Sequence, residues 1–395
     1  PRVAPTMFQL PDRPEYFGPD HEALRRTVRE FIAREVAPHI NAWDEAGSFP
    51  RELYRKAGAI GLLGIGYPEA LGGTPADLFF TIAAAEELAQ AGSGGLQASL
   101  GSHHIALPPL VALGAEALKQ RVVPAVLAGE KIAALAITEP GGGSDVAALR
   151  TTAVRDGDAY IVNGEKTFIT SGKRADFLTV AVRTDPANKG PGGVSLLLVE
   201  GDTPGLQRTL LAKTGWWASD TAHLRFDNCR VPAGNLLGPE GAGFKAIMQN
   251  FNNERLMMAA MAVAYAQVCT EEAAAWARER RTFGAALVER QVIRHKLVDM
   301  VMRVETARSF VYELAWRLQH RLGDADALVA RTCMAKNVAT QAMQFCADQA
   351  VQILGGMGFM RGTKSERLYR EVKVMMIGGG AEEIMKDLAA RKLGL

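Results

Sequence analysis

"GFKAIMQNFNNERLMMAAMAVAYAQVCTEEAAAWARERR", residues 243–281, decides the fold. Phe244, Ile247, Phe251, Met258, Met261 and Tyr265 recur at spacings of three, four, seven, three and four, which draws one face of a long helix. "QVIRHKLVDMVMRVETARSFVYELAWRLQHRLG" and "DADALVARTCMAKNVATQAMQFCADQAVQILGG" follow with the same texture and short connections, so residues 241–395 read as a four-helix-type bundle. One residue breaks the stripe. Glu254 stands where the pattern calls for an apolar side chain.

Working back along the chain, residues 131–240 change period. "DAYIVNGEKTFITS" reads as a hairpin with Asn163–Gly164 as its two-residue turn. "DFLTVAVRT", "GVSLLLVEG" and "HLRFDNCRVP" continue as strands between Pro/Gly/Asp turns, a middle β-barrel or sandwich domain. Residues 1–130 read as an N-terminal helical domain, with Asp20 as the N-cap signal of a first helix ending near Pro38. The fold class is α+β in three parts: helical domain, β domain, helical bundle.

The 395 residues are 48% hydrophobic and 22% charged, which suits an ordinary globular protein. Its 45 basic and 43 acidic residues are interspersed and give a formal net charge of +2, so no nucleic-acid surface is indicated. Cys229, Cys269, Cys333 and Cys346 have neither metal-ligand nor disulfide-scaffold spacing, which points to a reducing compartment and no metal site. The longest apolar run, Leu256–Ala266, is far short of the roughly 20 residues of a membrane span, so no membrane insertion is expected. "PRVAPTMFQLPDRPEYF" carries no visible leader, which favours a bacterial cytosol over a mitochondrial matrix.

Five short stretches can carry chemistry. Glu254 reads either as an edge glutamate paired with a cation or as a base whose pKa is lifted by an apolar pocket. "ITEPGGGSDVAAL" (137–149) lets a backbone approach a ligand closely. "RERRTFG" (278–284), with Gln291 beyond it, is a cationic helix end or a diphosphate grip. "QILGGMGF" (352–359) is a break between helices or part of a site. "MIGGGAEEIMKDLAAR" (376–391) sets three glycines before a helix whose N–H groups are free for an anion.

In this order and spacing the stretches resemble the acyl-CoA dehydrogenase family from about Asp20 to Leu395. "TEPGGGSD" is similar to that family's TEPxxGSD flavin motif and "NGEKTFITSG" to its NGxKxxIxxG motif. The resemblance implies FAD bound without a covalent link and oxidation of an acyl-CoA thioester to the trans-2-enoyl-CoA. It implies that Thr138, Ser144, Phe168 and Thr170 lie along the flavin. Arg280, Thr282, Phe283, Gln291, Gln352 and Gly356 would reach the diphosphate and adenosine half, some from a neighbouring subunit. A homotetramer would result, with electron-transferring flavoprotein as the electron acceptor.

Many relatives place the catalytic glutamate in a closing Tyr-Glu-Gly-Thr, where this chain reads Gly378, Gly379, Gly380 and Ala381. The branch with long-chain and isovaleryl-CoA dehydrogenases places it on the long helix before an arginine, as in "ERL" here. By that resemblance Glu254 is the base and the Gly379 N–H an oxyanion donor. Ser144, Arg255 and Gly378 would touch substrate, and the side-chain-free turn suits a long or branched acyl chain. An oxidase or monooxygenase on the same fold, and a non-catalytic flavin or acyl-CoA scaffold, are the alternatives. "TGWWASDT" departs from the family, with Trp217 where an arginine is common and Thr214 for a methionine. His103 and His104 read as structural or pocket-lining groups.

Overall fold

The computed structural model describes residues 15–395; the first fourteen, most of the stretch read for a leader, lie outside the described residues. The N-terminal helices are α1 (Pro19–Phe31), α2 (Ile40–Ala46), α3 (Glu52–Ala59), α4 (Leu78–Ala89), α5 (Gly94–Leu100), α6 (His103–Leu113) and α7 (Glu116–Leu127). The N-cap of α1 is Gly18 rather than Asp20, because Pro19 takes the first helical position, where its missing N–H leaves no bond unmade. Asp20 and Glu22 then fall in the first turn, favourable against the dipole. After Phe31 the chain widens into one π-helical turn, Ile32–Val36, before Pro38.

The strands are β1 (Ala133–Ala136), β2 (Thr152–Asp156), β3 (Ala159–Thr170), β4 (Phe177–Arg183), β5 (Val194–Glu200), β6 (Leu206–Leu210) and β7 (Thr221–Pro232). They form one mixed sheet in the order β1-β4-β2-β3-β7-β6, with β5 also paired to β4. Every residue of β4 is buried, as a strand covered on both faces must be.

The Asn163–Gly164 turn expected from the sequence is not there. Asp156 pairs with Ala159, so the hairpin turns at Gly157–Asp158, and Asn163–Gly164 runs inside β3 at a register shift against β7. Glycine is required there for close approach: a Cβ on Gly164 would stand 2.7 Å from the Thr151 Cα. Asn163 serves the ladder instead, its Oδ1 accepting the Asn228 N–H at 2.8 Å.

The C-terminal part comprises α8 (Gly243–Glu279), a two-rung hairpin of β8 (Arg281–Thr282) and β9 (Ala285–Ala286), α9 (Gln291–Gln319), α10 (Ala325–Leu354), the single turn α11 (Gly356–Phe359), α12 (Lys364–Ile377) and α13 (Glu382–Leu393). Alanines line the facing sides of α8 and α10, among them Ala259, Ala262, Ala266, Ala335, Ala339 and Ala342, so the two backbones approach closely. The stripe on α8 serves two cores. Phe244, Ile247 and Phe251 pack with α6, α7, β4 and β5, whereas Met258, Met261 and Tyr265 pack into the bundle. Glu254 lies in the seam between them.

A buried polar joint locks the helical parts together. Glu371 on α12 accepts the N–H groups of Gly94 at 2.7 Å and Gly95 at 3.3 Å, the free donors at the start of α5. Arg367, also buried, donates to the Gly92 carbonyl at 2.8 Å. Replacing Glu371 by alanine leaves two buried N–H groups and a void, so Glu371→Ala is expected to lose about 2–4 kcal/mol in chemical denaturation, with Glu371→Gln losing less than half of that.

Candidate active site

Glu254 is half-buried, and one of its carboxylate oxygens, Oε2, is wholly covered and has no hydrogen-bond partner. Loss of hydration therefore dominates its titration and pushes its pKa up to about 7, against the pull of the Arg255 and Lys336 cations. A carboxylate so placed is a proton acceptor near neutral pH.

Above it lies the glycine turn between α12 and α13. A Cβ on Gly379 would stand 4.0 Å from Glu254 Oε1, 3.8 Å from Arg255 Cγ and 3.0 Å from Met258 Sδ. A side chain at position 379 would thus enter the space that the helix glutamate now faces. Arg255 donates from Nε to the Gly379 carbonyl at 2.9 Å and from Nη1 to Asn252 Oδ1 at 3.0 Å. Its partners are within the protein. The Gly378 N–H closes the helix on the Val374 carbonyl at 2.7 Å, while the N–H groups of Gly379 and Gly380 have no acceptor among the described residues. Both residues have positive φ, +66° and +113°, a turn geometry that glycine takes without strain.

A second surface runs along β1 and β3. The Thr138 carbonyl at the end of β1 accepts the Thr167 N–H at 2.9 Å, which lays the TEPGGGSD turn against β3. Glu139 anchors that turn by accepting the N–H groups of Arg150 at 2.6 Å and Thr151 at 2.9 Å and the Lys166 ammonium at 2.8 Å. Lys166 has no exposed surface, and burial depresses it to about 8 although Glu139 holds it up. Ser144 is exposed at the tip and Thr170 half-buried at the strand end. Phe168 sits in a register shift with φ 61° and 69% of its surface exposed. An aromatic residue held in the left-handed region and left uncovered fits a ligand that stacks there.

Arg280 caps the end of α8, exposed and in no ion pair among the described residues, with the indole of Trp276 6.0 Å from its guanidinium. The β8–β9 hairpin beyond it carries half-buried Thr282 and Phe283, whose φ is 49° and whose side chain is 99% exposed. Arg290 pins the hairpin by donating to the Thr282 carbonyl at 2.8 Å. Gln291 and Gln352 are exposed, and a Cβ on Gly356 would meet nothing within 4 Å. The fit to FAD is good: uncovered aromatic rings, an unpaired guanidinium and open glycine turns suit a flat ring system and a diphosphate. Among the described residues, no hydrogen bond joins the hairpin or Gln352 to the Glu254 turn, so the chain does not bring these groups together by direct contact.

The departure at Trp217 has a structural account. Its indole lies between the guanidinium groups of Arg370 at 3.9 Å and Arg361 at 4.3 Å, and its Nε1 donates to the Lys213 carbonyl at 2.9 Å. His103 is a buried structural group, its Nε2 at 2.8 Å from the Leu63 carbonyl and its pKa pushed down to about 4 by burial. Sequence reasoning missed Lys336, Met258 and the Glu139–Lys166 pair. Lys336 gave the same signal as Glu254: a charge inside the apolar stripe of "CMAKNVATQAM".

The burial of Glu254 has a cost that follows from the sign of its shift. Its folded pKa of about 7 lies above the ordinary carboxylate value of 4.5, so the folded chain holds the proton more tightly and loses stability as pH rises through that window. Glu254→Gln is therefore expected to be more stable than the wild type at pH 8 by up to about 3 kcal/mol and nearly equal to it at pH 4. Urea titrations at the two pH values check this; a variant weaker at pH 8 contradicts the buried carboxylate.

The model of the acyl-CoA dehydrogenase N-terminal domain matches residues 18–130, that of the middle domain 134–229 and that of the C-terminal domain 241–394. The chain is 38% identical to the mitochondrial long-chain specific acyl-CoA dehydrogenase of Rattus norvegicus, over 95% of this chain and 87% of that one. It is 36% identical to the mitochondrial short-chain specific enzyme of Mus musculus, over 98% and 92%. A crystal structure of a probable acyl-CoA dehydrogenase from Mycobacterium abscessus superposes with a TM-score of 0.93 at 47% identity, covering 96% of this chain and 100% of that one. The chain belongs to the acyl-CoA dehydrogenase family, FAD-dependent flavoprotein oxidoreductases that dehydrogenate acyl-CoA thioesters.

Proposed function

We propose that Glu254 is the base that removes the α-proton of an acyl-CoA thioester, and that the acyl chain is long or branched. The observation that carries this reading is the partnerless, covered Oε2 of Glu254 beside a turn that offers N–H groups and no side chain. As the α C–H bond breaks, its proton goes to the Glu254 carboxylate and negative charge grows on the thioester oxygen. In this reading the Gly379 N–H, which has no acceptor among the described residues, meets that charge, an interaction that strengthens in the transition state and so lowers the barrier. FAD, when bound, supplies the two-electron acceptor for the β-hydride. Thr138, Ser144, Phe168 and Thr170 would hold its ring, and Arg280, Thr282, Phe283, Gln291, Gln352 and Gly356 its distal half. Arg255 serves by holding helix and turn together, with Gly378 and Ser144 at the acyl and CoA side.

Width at the reacting carbons is supported by the turn itself. Met258 is the side chain that borders both glycines, its Cε 3.6 Å from the Cβ position of Gly378. An unbranched thioether adapts to a bulky neighbour more readily than an aromatic ring. The similarity to both long-chain and short-chain relatives leaves chain length to experiment. Anaerobic flavin bleaching across straight, 3-methyl and long acyl-CoAs is expected to be fastest for the last two, and a clear preference for butyryl-CoA refutes the wide pocket. Glu254→Gln is expected to keep its flavin and lose reduction by about 10³-fold or more; bleaching at the wild-type rate removes Glu254 from the mechanism.

Phe283 and Phe359, 99% and 88% exposed, support a homotetramer in which one chain's hairpin completes a neighbour's cofactor site. Sedimentation of the flavin-loaded protein tests it: a single chain that retains its flavin is incompatible with a shared site. Electrons would pass to electron-transferring flavoprotein, in a bacterial cytosol.

A further inference from the structure

We propose that Lys336 is a positioning residue for the reaction: from α10 its ammonium ties the Met376 carbonyl at the end of α12 to the Gly380 carbonyl, clamping the glycine turn at both ends so that the turn's N–H groups face the acyl thioester. This rests on the reading of the Glu254 side of that turn as the reacting centre.

Lys336 has no exposed surface, and its Nζ donates to the Met376 carbonyl at 3.1 Å and the Gly380 carbonyl at 2.6 Å. Arg255, from α8, takes the Gly379 carbonyl between them at 2.9 Å. Two buried cations from two helices thus turn three carbonyls of one short stretch toward themselves. A peptide group has its N–H opposite its C=O. The Gly379 and Gly380 carbonyls so held turn the Gly380 and Ala381 N–H groups to the opposite side of the turn, the clamp from Met376 to Gly380 fixes the Gly379 N–H between its ends, and successive N–H groups at positive φ form a concavity for an anion. A turn of three glycines has many conformations to choose from, so its single geometry needs an outside grip. An apolar residue would fill the same place in α10 at far lower desolvation cost, which argues that the charge is retained for its bonds.

Lys336 also acts on the base through space. The groups that face it are Glu254, Arg255, Cys333 and Glu382. Arg255 is repelled by it, and both cations favour the ionised form of Glu254 against the larger effect of burial. Removing Lys336 therefore moves the acid limb of the pH profile to higher pH.

The test is the infrared C=O stretch of bound trans-2-enoyl-CoA, carrying ¹³C at the thioester carbon, in the flavin-loaded enzyme. The stretch is expected to be lowered on binding to the wild type and to return most of the way to its free value in Lys336→Met. The same variant should lose kcat about tenfold or more, with KM within about threefold, and show the displaced acid limb, because a misaimed oxyanion donor affects the transition state more than binding. A merely structural lysine would change melting temperature and flavin content and leave carbonyl stretch and pH profile alone. That outcome overturns the proposal, as does a wild-type stretch unchanged on binding. Lys336→Gln, whose amide keeps a donor for one carbonyl, gives the same comparison at an intermediate shift if the methionine variant does not fold. Glu254→Gln separates the two readings: it should keep the lowered stretch while losing reduction. If it still bleaches, the assignment of the base fails while the stretch in Lys336→Met continues to judge the grip.

Discussion

A carboxylate lifted out of water and given no hydrogen-bond partner is the constraint around which this molecule is arranged. Glu254 lies where α8 leaves one core and enters another, and only such a seam offers cover without apolar contact on every side. In a fully packed core the charge would be excluded, and at the surface its pKa would be ordinary. Two neighbouring cations, Arg255 and Lys336, keep the ionised form within reach of neutral pH. Neither binds it directly.

The glycine turn makes this arrangement intelligible. The Cβ direction of Gly379, which by resemblance corresponds to a closing-loop glutamate, is aimed at the same space as the Glu254 carboxylate, 4.0 Å away. Two distant points of the chain therefore converge on one site, and a carboxylate from either could serve it. In the proposed reading the helix supplies the acid group and the turn is left to present backbone alone. The Gly379 and Gly380 carbonyls are held by buried side chains, and the amides of the same two glycines have no acceptor among the described residues.

Two of the six non-glycine residues with positive φ among the described residues lie on the outer surfaces proposed for the cofactor. Phe168 and Phe283 both hold positive φ, and both leave their rings in the open. Non-glycine residues bear that cost where surrounding structure imposes it. Around Phe168 the imposing elements are the β3 register shift and the Glu139–Lys166 pair, which ties the TEPGGGSD turn to the strand behind it.

The sequence by itself determined the order of the parts, the length of the bundle helices, the apolar stripe and the anomaly of Glu254, because these follow from local periodicity. It misplaced what depends on neighbours. Asn163–Gly164 has the composition of a turn, yet the approach of Thr151 makes that glycine a strand residue and moves the turn to Gly157–Asp158. Glu139 and Lys166 looked like ordinary charges, and for these and for Lys336, a charge inside an apolar stripe, only the packing of distant segments showed what they hold. Tertiary structure alone decided that residues 254, 336 and 379 share one site, because the burial that raises a pKa and the bonds that orient a turn arise between elements no local pattern joins.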